Sequence, residues 1–183
     1  LDTTANVLSW AVFFLAQHAD AQAAARAEVD ALLGDSRTAV PSFDDAARLT
    51  YLQHVVAETT RLRPSAPFVD RQTDVDDVLP TGVAVPAGSY MIISAYLLHH
   101  DPRYWGADAA EFKPERWRAP THPPFAFLPF GAGARACIGK SLAKLEAVLV
   151  LAVLLHRYEL RMSDAQRRAA TPSYVITMFP QNL

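Results

Sequence analysis

The sequence is poor in cysteine, because Cys137 is the only one among its 183 residues. One cysteine cannot form an internal disulfide, which favours a reducing compartment, and we expect a cytoplasmic protein. The sequence also has no basic run, and its formal net charge is −2, so nothing supports nucleic-acid binding. Its longest apolar stretches, residues 7–16 and 147–155, are too short to span a bilayer. We therefore expect no membrane segment in this chain.

Apolar residues are abundant, at 51% of the chain, which suffices for the core of a globular domain. Their helical spacing begins with the first residues, whereas a helix normally opens after a cap and a turn. The chain also starts at Leu1 rather than at a methionine. We therefore expect residues 1–183 to be a partial single domain from the C-terminal part of a longer protein.

Helical patterns dominate the first third of the chain. The apolar spacing predicts a first helix over residues 2–17. Asp20 is predicted to cap a second helix, which runs to about Leu33 and ends at Gly34.

Two further helix starts follow in the sequence. Ser42, with Asp45 three residues later, predicts a short helical turn, and Thr50 with Gln53 predicts a capping box. The helix that this box opens is expected to cover residues 51–62.

Beyond Pro64 the pattern changes to strands, loops and one apolar helix. The predicted elements are strands at 68–73 and 83–93, a helical turn at 94–100, a loop at 101–127, a helix that follows Cys137 and runs to about His156, and a closing strand pair at 158–162 and 173–178. The predicted fold class is mainly α with small β-sheets, an α+β arrangement.

Cys137 stands where a glycine-punctuated loop turns into that apolar helix. Gly131 and Gly139 allow backbone shapes or close approaches that a Cβ would prevent. A thiol near a helix N-terminus, with the cation of Arg135 two residues before it, is favoured in its thiolate form. A thiolate binds metals and attacks electrophiles, although a lone cysteine among apolar residues is more often an inert part of the core.

A carboxylate and a guanidinium, Glu58 and Arg61, lie three residues apart on one face of a predicted helix. Surface pairs with this spacing are common and weak. The same helix carries apolar residues at 52, 55, 56 and 62, which indicates a partly buried face. A second arginine, Arg116, follows in the segment Phe112-Lys-Pro-Glu-Arg-Trp117.

The cysteine loop fills every place of the pattern F-x-x-G-x-R-x-C-x-G, with Phe130, Gly133, Arg135, Cys137 and Gly139. This pattern resembles the haem-binding loop of the cytochrome P450 family, the haem-thiolate monooxygenases. With five fixed places in ten, the pattern is specific.

Three further motifs resemble the same family and occur in its order. Glu58 and Arg61 match its E-x-x-R helix, and Arg116 matches its P-E-R-F/W segment. The start Asp2-Thr3-Thr4 is similar to the acid-Thr-Thr motif of its long distal helix. The resemblance covers all 183 residues and implies the C-terminal half of the cytochrome P450 fold, from within the distal helix to a closing strand pair.

For the cofactor, the resemblance implies heme b with Cys137 as the axial thiolate ligand. Arg135 and Arg71 would bind the haem propionates. His99 lies in a His-His-Asp-Pro segment that the family also shows, and we expect it to be structural rather than an iron ligand. The loop positions implied in cofactor binding are Phe130, Gly131 and Gly139.

For the remaining motifs, the resemblance implies two different roles. Glu58, Arg61 and Arg116 would form a buried ionic triad, which is structural rather than catalytic. Thr3, with Asp2 before it, would relay protons to iron-bound oxygen, because a hydroxyl can pass a proton without holding a charge.

The function implied is a monooxygenase reaction. It inserts one atom of O2 into a small apolar organic substrate and takes electrons from a redox partner, either a ferredoxin or a flavin reductase. We expect the isolated piece to be inactive. Two alternatives stay open at the level of sequence: a haem-thiolate peroxygenase or isomerase that needs no reductase, and a truncated, haem-free fragment without enzymatic activity.

Overall fold

The computed structural model describes residues 2–119, 121–174 and 177–181. Its helices are α1 Asp2–Gln17, α2 Ala19–Leu33, α3 Thr50–Leu62, α4 Ala95–His100, α5 Pro102–Trp105, α6 Lys140–Arg157 and α7 Asp164–Ala169. Its strands are β1 Phe68–Gln72, β2 Asp77–Val78, β3 Ala84–Val85, β4 Tyr90–Ser94, β5 Thr171–Tyr174 and β6 Met178–Gln181. Short 3-10 turns lie at Asp44–Ala47, Pro114–Trp117 and Gly133–Arg135. Helices with small antiparallel sheets confirm the predicted α+β class.

The core lies where α1, α2, α3 and α6 meet. Helix α1 contributes Trp10 and Leu15, α3 contributes Leu52, and α6 contributes Leu151 and Leu155, each at most 1% exposed. Burying one large aliphatic side chain contributes roughly 1.5–3 kcal/mol. These contacts fix α3 and α6 relative to each other, and the site described below lies between these two helices and α1. Among the described residues, none of the helices is long and apolar enough to cross a membrane.

Antiparallel strand pairs flank the helices in the described part of the chain: β1 with β4, β2 with β3, and β5 with β6. In the first pair Val69 lies opposite Ile93, and Arg71 lies opposite Met91. Because side chains alternate between the two faces of a strand, Val69 and Arg71 point the same way. Both are half-buried, and their face lines the cleft described below.

Several local predictions are confirmed. Helix α1 has the predicted bounds, and α2 ends at Gly34, whose positive φ of 73° suits glycine. The short helical turn predicted at Ser42 is present as the 3-10 turn Asp44–Ala47, and Ser42 and Asp45 bond to each other there. The Asp45 N–H donates to Ser42 Oγ over 3.3 Å, and the Ser42 N–H donates to Asp45 Oδ2 over 2.9 Å. Ser94 caps α4 by accepting from the Leu97 N–H.

The two other predicted caps are wrong. Asp20 lies inside the first turn of α2, and His18 precedes that helix without a side-chain cap. Thr50 is already helical, and Leu49 before it offers no side-chain acceptor. The carboxylate of Glu28 on α2 caps α3 instead, because it accepts from the N–H groups of residues 51 and 52 over 2.8 and 3.0 Å. A cap supplied by another helix leaves no local signal in the sequence.

The predicted strand at 158–162 is also wrong, because that segment is irregular. The side chain of Gln22 satisfies the backbone of Leu160 in place of a partner strand: it accepts from the Leu160 N–H over 2.8 Å and donates to the Leu160 carbonyl over 2.9 Å. The closing pair is β5 with β6, and an unpredicted α7 precedes it. Of the segment predicted as its second strand, residues 175 and 176 lie outside the described residues.

The prolines of segment 101–127 predicted a loop throughout, but the structure has a short helix and a 3-10 turn there. Asp101 caps the short helix α5 by accepting from the Arg103 N–H, and Pro102 occupies the first position of that helix. Proline at this position lacks only an N–H that the helix would leave unpaired. A second proline, Pro114, opens the 3-10 turn in the same way.

Candidate functional site

The segment before α6 forms a closed loop that ends in Cys137. The Cys137 N–H donates to the Phe130 carbonyl over 2.9 Å, which joins the two ends of the loop. Gly131 and Gly133 have φ values of 66° and 72°, a left-handed conformation that side chains with a Cβ rarely adopt. The loop therefore has a defined backbone that presents the thiol just before α6 begins at Lys140.

Cys137 is exposed and lines a cleft in front of α6. The first backbone N–H groups of α6 have no partner within the helix and form the positive end of its dipole. Cys137 lies three residues before this end of the helix. A Cβ built on Gly139 would lie 3.9 Å from Cys137 Sγ, which is an ordinary contact. The contacts of this chain therefore do not require a glycine at position 139.

The cleft has a volume of about 240 Å³ and lies between the start of α1, α3, β1 and the cysteine loop. Most of its wall is apolar. Its lining residues are Thr3, Thr4, Val7, Val56, Thr60, Ser65, Ala66, Val69, Arg71, Pro129, Phe130, Gly131, Arg135, Cys137, Ala143 and Lys144. The cleft thus brings together six of the residues predicted from the sequence motifs: Thr3, Arg71, Phe130, Gly131, Arg135 and Cys137.

Asp2 is exposed in the first turn of α1 and does not line the cleft, and neither does Gly139. The Thr3 carbonyl accepts a hydrogen bond from Ser65 Oγ over 2.8 Å, which ties the start of α1 to the segment after α3. A lining cation that the motifs did not indicate is Lys144. Its ammonium lies 5.9 Å from the centroid of the Phe130 ring, and partial burial lowers its pKa.

The chemistry of this lining can be tested against a haem group. A haem has a flat apolar ring, an iron that takes an axial ligand and two carboxylates. The cleft offers an apolar wall, one thiol and the guanidinium groups of Arg71 and Arg135. Arginine binds carboxylates in a bidentate fashion, and sulfur is a suitable axial ligand for haem iron. The residues present therefore fit this cofactor.

Behind the cleft, the carboxylate of Glu58 is completely buried. Arg61, Arg116 and Trp117 donate to it through side chains, and Lys113 donates through its backbone N–H. The five distances are 2.7 and 2.8 Å from Arg61 Nη2 and Nε, 3.0 Å from Arg116 Nε, 3.0 Å from Trp117 Nε1 and 3.0 Å from the Lys113 N–H. A buried carboxylate needs this degree of pairing to stay charged.

The guanidinium of Arg61 is also fully buried, and every one of its N–H groups has a partner. Besides the two bonds to Glu58, it donates to the backbone carbonyls of residues 99, 109 and 111 over 2.7, 2.6 and 3.1 Å. It also lies 5.0 Å from the centroid of the Trp105 ring. Arg61 therefore ties α3 to α4 and to the long segment that precedes the cysteine loop.

Arg116 extends this network towards the surface and is 13% exposed. It donates to the Trp105 carbonyl and to both the carbonyl and the Oδ1 atom of Asp108. The hydrogen bond from the Lys113 ammonium and the charge of Arg116 lower the pKa of Asp108. The structure thus brings the three predicted charges together and adds Asp108, Lys113 and Trp117. The motifs already contained Trp117, but its indole N–H carried no signal that it would donate to Glu58.

Comparisons with known proteins identify the family of the chain. A family model described as Cytochrome P450 matches residues 1–182. Cytochrome P450 734A6 of Oryza sativa subsp. japonica is 42% identical over 184 residues, which cover 98% of this chain and 33% of that protein. Cytochrome P450 4F2 of Homo sapiens is 39% identical over 171 residues, which cover 91% of this chain and 32% of that protein.

Among solved structures, a crystal structure of a cytochrome P450 (CYP102L1) superposes with a TM-score of 0.90 and 39% sequence identity. The superposition covers 100% of this chain and 41% of that one. The chain spans about a third of the length of the curated relatives it matches.

Proposed function

The chain belongs to the cytochrome P450 family, and we propose that in the complete protein it supplies the cysteine side of a haem-thiolate monooxygenase site. The proposed reaction inserts one atom of O2 into a small apolar organic substrate and reduces the other atom to water. Electrons come from a ferredoxin or a flavin reductase. The observation that carries this proposal is the convergence of Cys137, Arg71, Arg135 and Thr3 on one apolar cleft.

Cys137 is the proposed axial ligand of heme b. It lies just before the N-terminal end of α6, and the hydrogen bond from its N–H to the Phe130 carbonyl holds the backbone that carries the sulfur. Thiolate-ligated haem iron, when bound, supplies the electron density that favours cleavage of the O–O bond. The ring of Phe130 and the apolar side chain of Val56 line the same cleft and would pack against the apolar ring of the cofactor.

Arg71 and Arg135 are the proposed partners of the two propionates. Both line the cleft, one from β1 and one from the cysteine loop. Two guanidinium cations would balance two carboxylates, so an apolar cleft could hold them without an unpaired charge. Glu58, Arg61 and Arg116 keep a structural role in this proposal, because none of the three lines the cleft.

Thr3 is the proposed proton relay, with Asp2 as its source of protons. The hydroxyl of Thr3 can donate its proton into the cleft and accept another, and it stays neutral throughout. Asp2 precedes it in the first turn of α1 and is exposed, so it can exchange protons with solvent. Val7, Val56 and Val69 line the same cleft as Thr3, and their apolar side chains favour an apolar substrate. We also propose a reducing, cytoplasmic location, and this rests only on the argument from the single cysteine.

The experiment compares the complete protein that carries residues 1–183 with its Cys137→Ala and Thr3→Ala variants. We expect the reduced, carbon-monoxide-bound wild type to show the red-shifted Soret band of a thiolate ligand, and Cys137→Ala to lack it. For Thr3→Ala we expect that band to remain. The assay supplies an electron donor, O2 and, as test substrate, an apolar compound that shifts the Soret band of the oxidised protein. Under these conditions Thr3→Ala should release more peroxide per molecule of substrate oxidised than the wild type does.

Four results would each overturn the proposal or one part of it. The wild type could lack the thiolate band, or Cys137→Ala could retain it, and either would remove the ligand assignment. Turnover with peroxide alone, and none with O2 and an electron donor, would replace the monooxygenase with a peroxygenase. Unchanged coupling in Thr3→Ala would remove the hydroxyl from the proton path while leaving the ligand in place.

A further inference from the structure

His99 is completely buried and makes a hydrogen bond with each ring nitrogen. The Leu128 N–H donates to Nε2 over 2.8 Å, so Nε2 is an acceptor and carries no proton. The proton therefore lies on Nδ1, which donates to the Arg61 carbonyl over 3.1 Å. Burial lowers the pKa of His99 to about 3, in agreement with this neutral form.

On one side, His99 is locked to the buried ion network. The Arg61 guanidinium donates to the His99 carbonyl over 2.7 Å, and the His99 ring donates back to the Arg61 carbonyl. Arg61 in turn is held by Glu58 through two bonds. The position of the imidazole is therefore fixed by Arg61, because Arg61 cannot move without breaking its bonds to Glu58.

On the other side, His99 holds the start of the cysteine loop. Its acceptor nitrogen fixes the Leu128 N–H, and Leu128 lies two residues before Phe130. The Phe130 carbonyl accepts from the Cys137 N–H over 2.9 Å. A short path of hydrogen bonds and backbone thus runs from Arg61 through the imidazole to the backbone of Cys137.

We propose that His99 is a positioning residue for the cysteine loop, and that it acts by accepting the hydrogen bond of the Leu128 N–H. This inference rests on the proposed function, because it concerns how the proposed haem ligand is held. His99 lies outside the lining of the cleft, so it acts on the ligand only through the loop. Loss of its acceptor atom releases the loop from the ion network and leaves that network intact.

A simpler role for His99 would be to fill space. Its ring lies 5.3 Å from the Phe127 ring and 6.4 Å from the Trp105 ring, measured between centroids. A pair of substitutions separates the two roles, because each replaces one ring nitrogen. In His99→Gln the amide oxygen lies as many bonds from Cα as Nε2 and can accept from the Leu128 N–H. In His99→Asn the amide nitrogen matches Nδ1 and can donate to the Arg61 carbonyl, but nothing reaches Leu128.

The experiment uses the complete haem-loaded protein and measures hydrogen exchange of the Leu128 amide. Loss of one hydrogen bond should speed this exchange about fivefold in His99→Asn, and His99→Gln should stay close to the wild type. The haem reduction potential and the fraction of thiolate-type carbon monoxide complex should change in the same order. His100→Gln is the matched control, because among the described residues the His100 ring bonds only to the Tyr96 carbonyl of its own helix. This variant should leave all three readouts unchanged.

The proposal is overturned if His99→Asn matches His99→Gln, or if the Asn variant is closer to the wild type. If both variants fail to fold, the wild type decides alone: the Leu128 amide must be protected from exchange, and an unprotected amide removes the bond on which the proposal rests. A wild type without the thiolate band contradicts the proposed function instead, and the exchange measurement then still decides whether His99 holds the loop.

Discussion

Glu58 and Cys137 lie at the centres of two regions that satisfy their polar groups in opposite ways. Around Glu58, the polar groups are paired mainly through side chains. The carboxylate accepts from five N–H donors, and each N–H of the Arg61 guanidinium donates a hydrogen bond. Around Cys137 the backbone does the holding, through the bond from its N–H to Phe130. The thiol itself is exposed in the cleft.

The difference separates stability from binding. A side chain that is fully paired within the chain has no capacity left for a ligand, so the Glu58 region can only support its neighbours. A loop shaped by its backbone leaves its side chains available for a ligand. The two regions meet at His99, which bonds to Arg61 on one side and Leu128 on the other. We therefore expect substitutions in the two regions to affect different measurements.

The largest expected effect is on the free energy of unfolding of Glu58→Gln. The amide keeps the shape of the side chain, but it removes the charge that balances Arg61 and Arg116. The NH2 group of the amide would also face groups that donate hydrogen bonds to Glu58 in the wild type, and it cannot accept from them. Removing one partner of a buried ion network costs roughly 3–5 kcal/mol. Urea unfolding of the complete protein, prepared without haem, measures this cost.

The matched control is Glu159→Gln, which breaks an exposed pair. Glu159 and Arg161 lie 2.8 Å apart with side chains that are 61% and 79% exposed. Exposed pairs contribute little to stability, so the unfolding midpoint should not move. A Glu58→Gln variant as stable as this control would show that the buried network is not what holds the fold.

Sequence reasoning predicted the parts of the Glu58 region that lie close together in the chain. Glu58 and Arg61 are three residues apart on a helix, and Arg116 follows in a motif. Outside that region, the contacts that it missed are remote: Glu28 caps α3 from 23 residues away, and Gln22 bonds to a backbone 138 residues away. Such contacts depend on how helices pack, and a local pattern holds no information about packing.

The cysteine loop was more predictable, because its shape is set by residues within it. Gly131 and Gly133 adopt left-handed conformations, which are among the backbone shapes that a Cβ would hinder. Gly139 does not have a positive φ, and a Cβ there would make only an ordinary contact. The sequence suggested a structural His99, but its two partners could not be predicted, because they lie 38 and 29 residues away in the sequence.

An intermediate effect should appear on acidification, and it tests the point where the two regions meet. Burial lowers the pKa of His99 from its usual value near 6.5 to about 3. Between these values the unfolded chain binds a proton that the folded chain does not, so stability falls as pH drops from about 6.5 towards 3. At pH 5 the loss attributable to this residue is about 2 kcal/mol relative to pH 7.

The measurement compares urea unfolding at pH 7 and pH 5 for the wild type and His99→Gln. The wild type should lose about 2 kcal/mol more than the variant. Burial also lowers the pKa of His54 and His100, but both proteins carry these residues, so their contribution cancels in the difference. Equal losses in the two proteins would mean that His99 is protonated in the folded state at pH 5, against the geometry of its bonds.

The smallest expected effect is that of Cys137→Ser on the protein prepared without haem. The thiol is exposed, and the loop is held by backbone bonds that serine keeps. Substitutions of this kind usually change stability by no more than about 0.5 kcal/mol. The same variant should nevertheless lose the thiolate band once haem is added. A cost close to that of Glu58→Gln would instead make Cys137 part of the core, and the distinction between a self-paired scaffold and a loop open to a ligand would then fail.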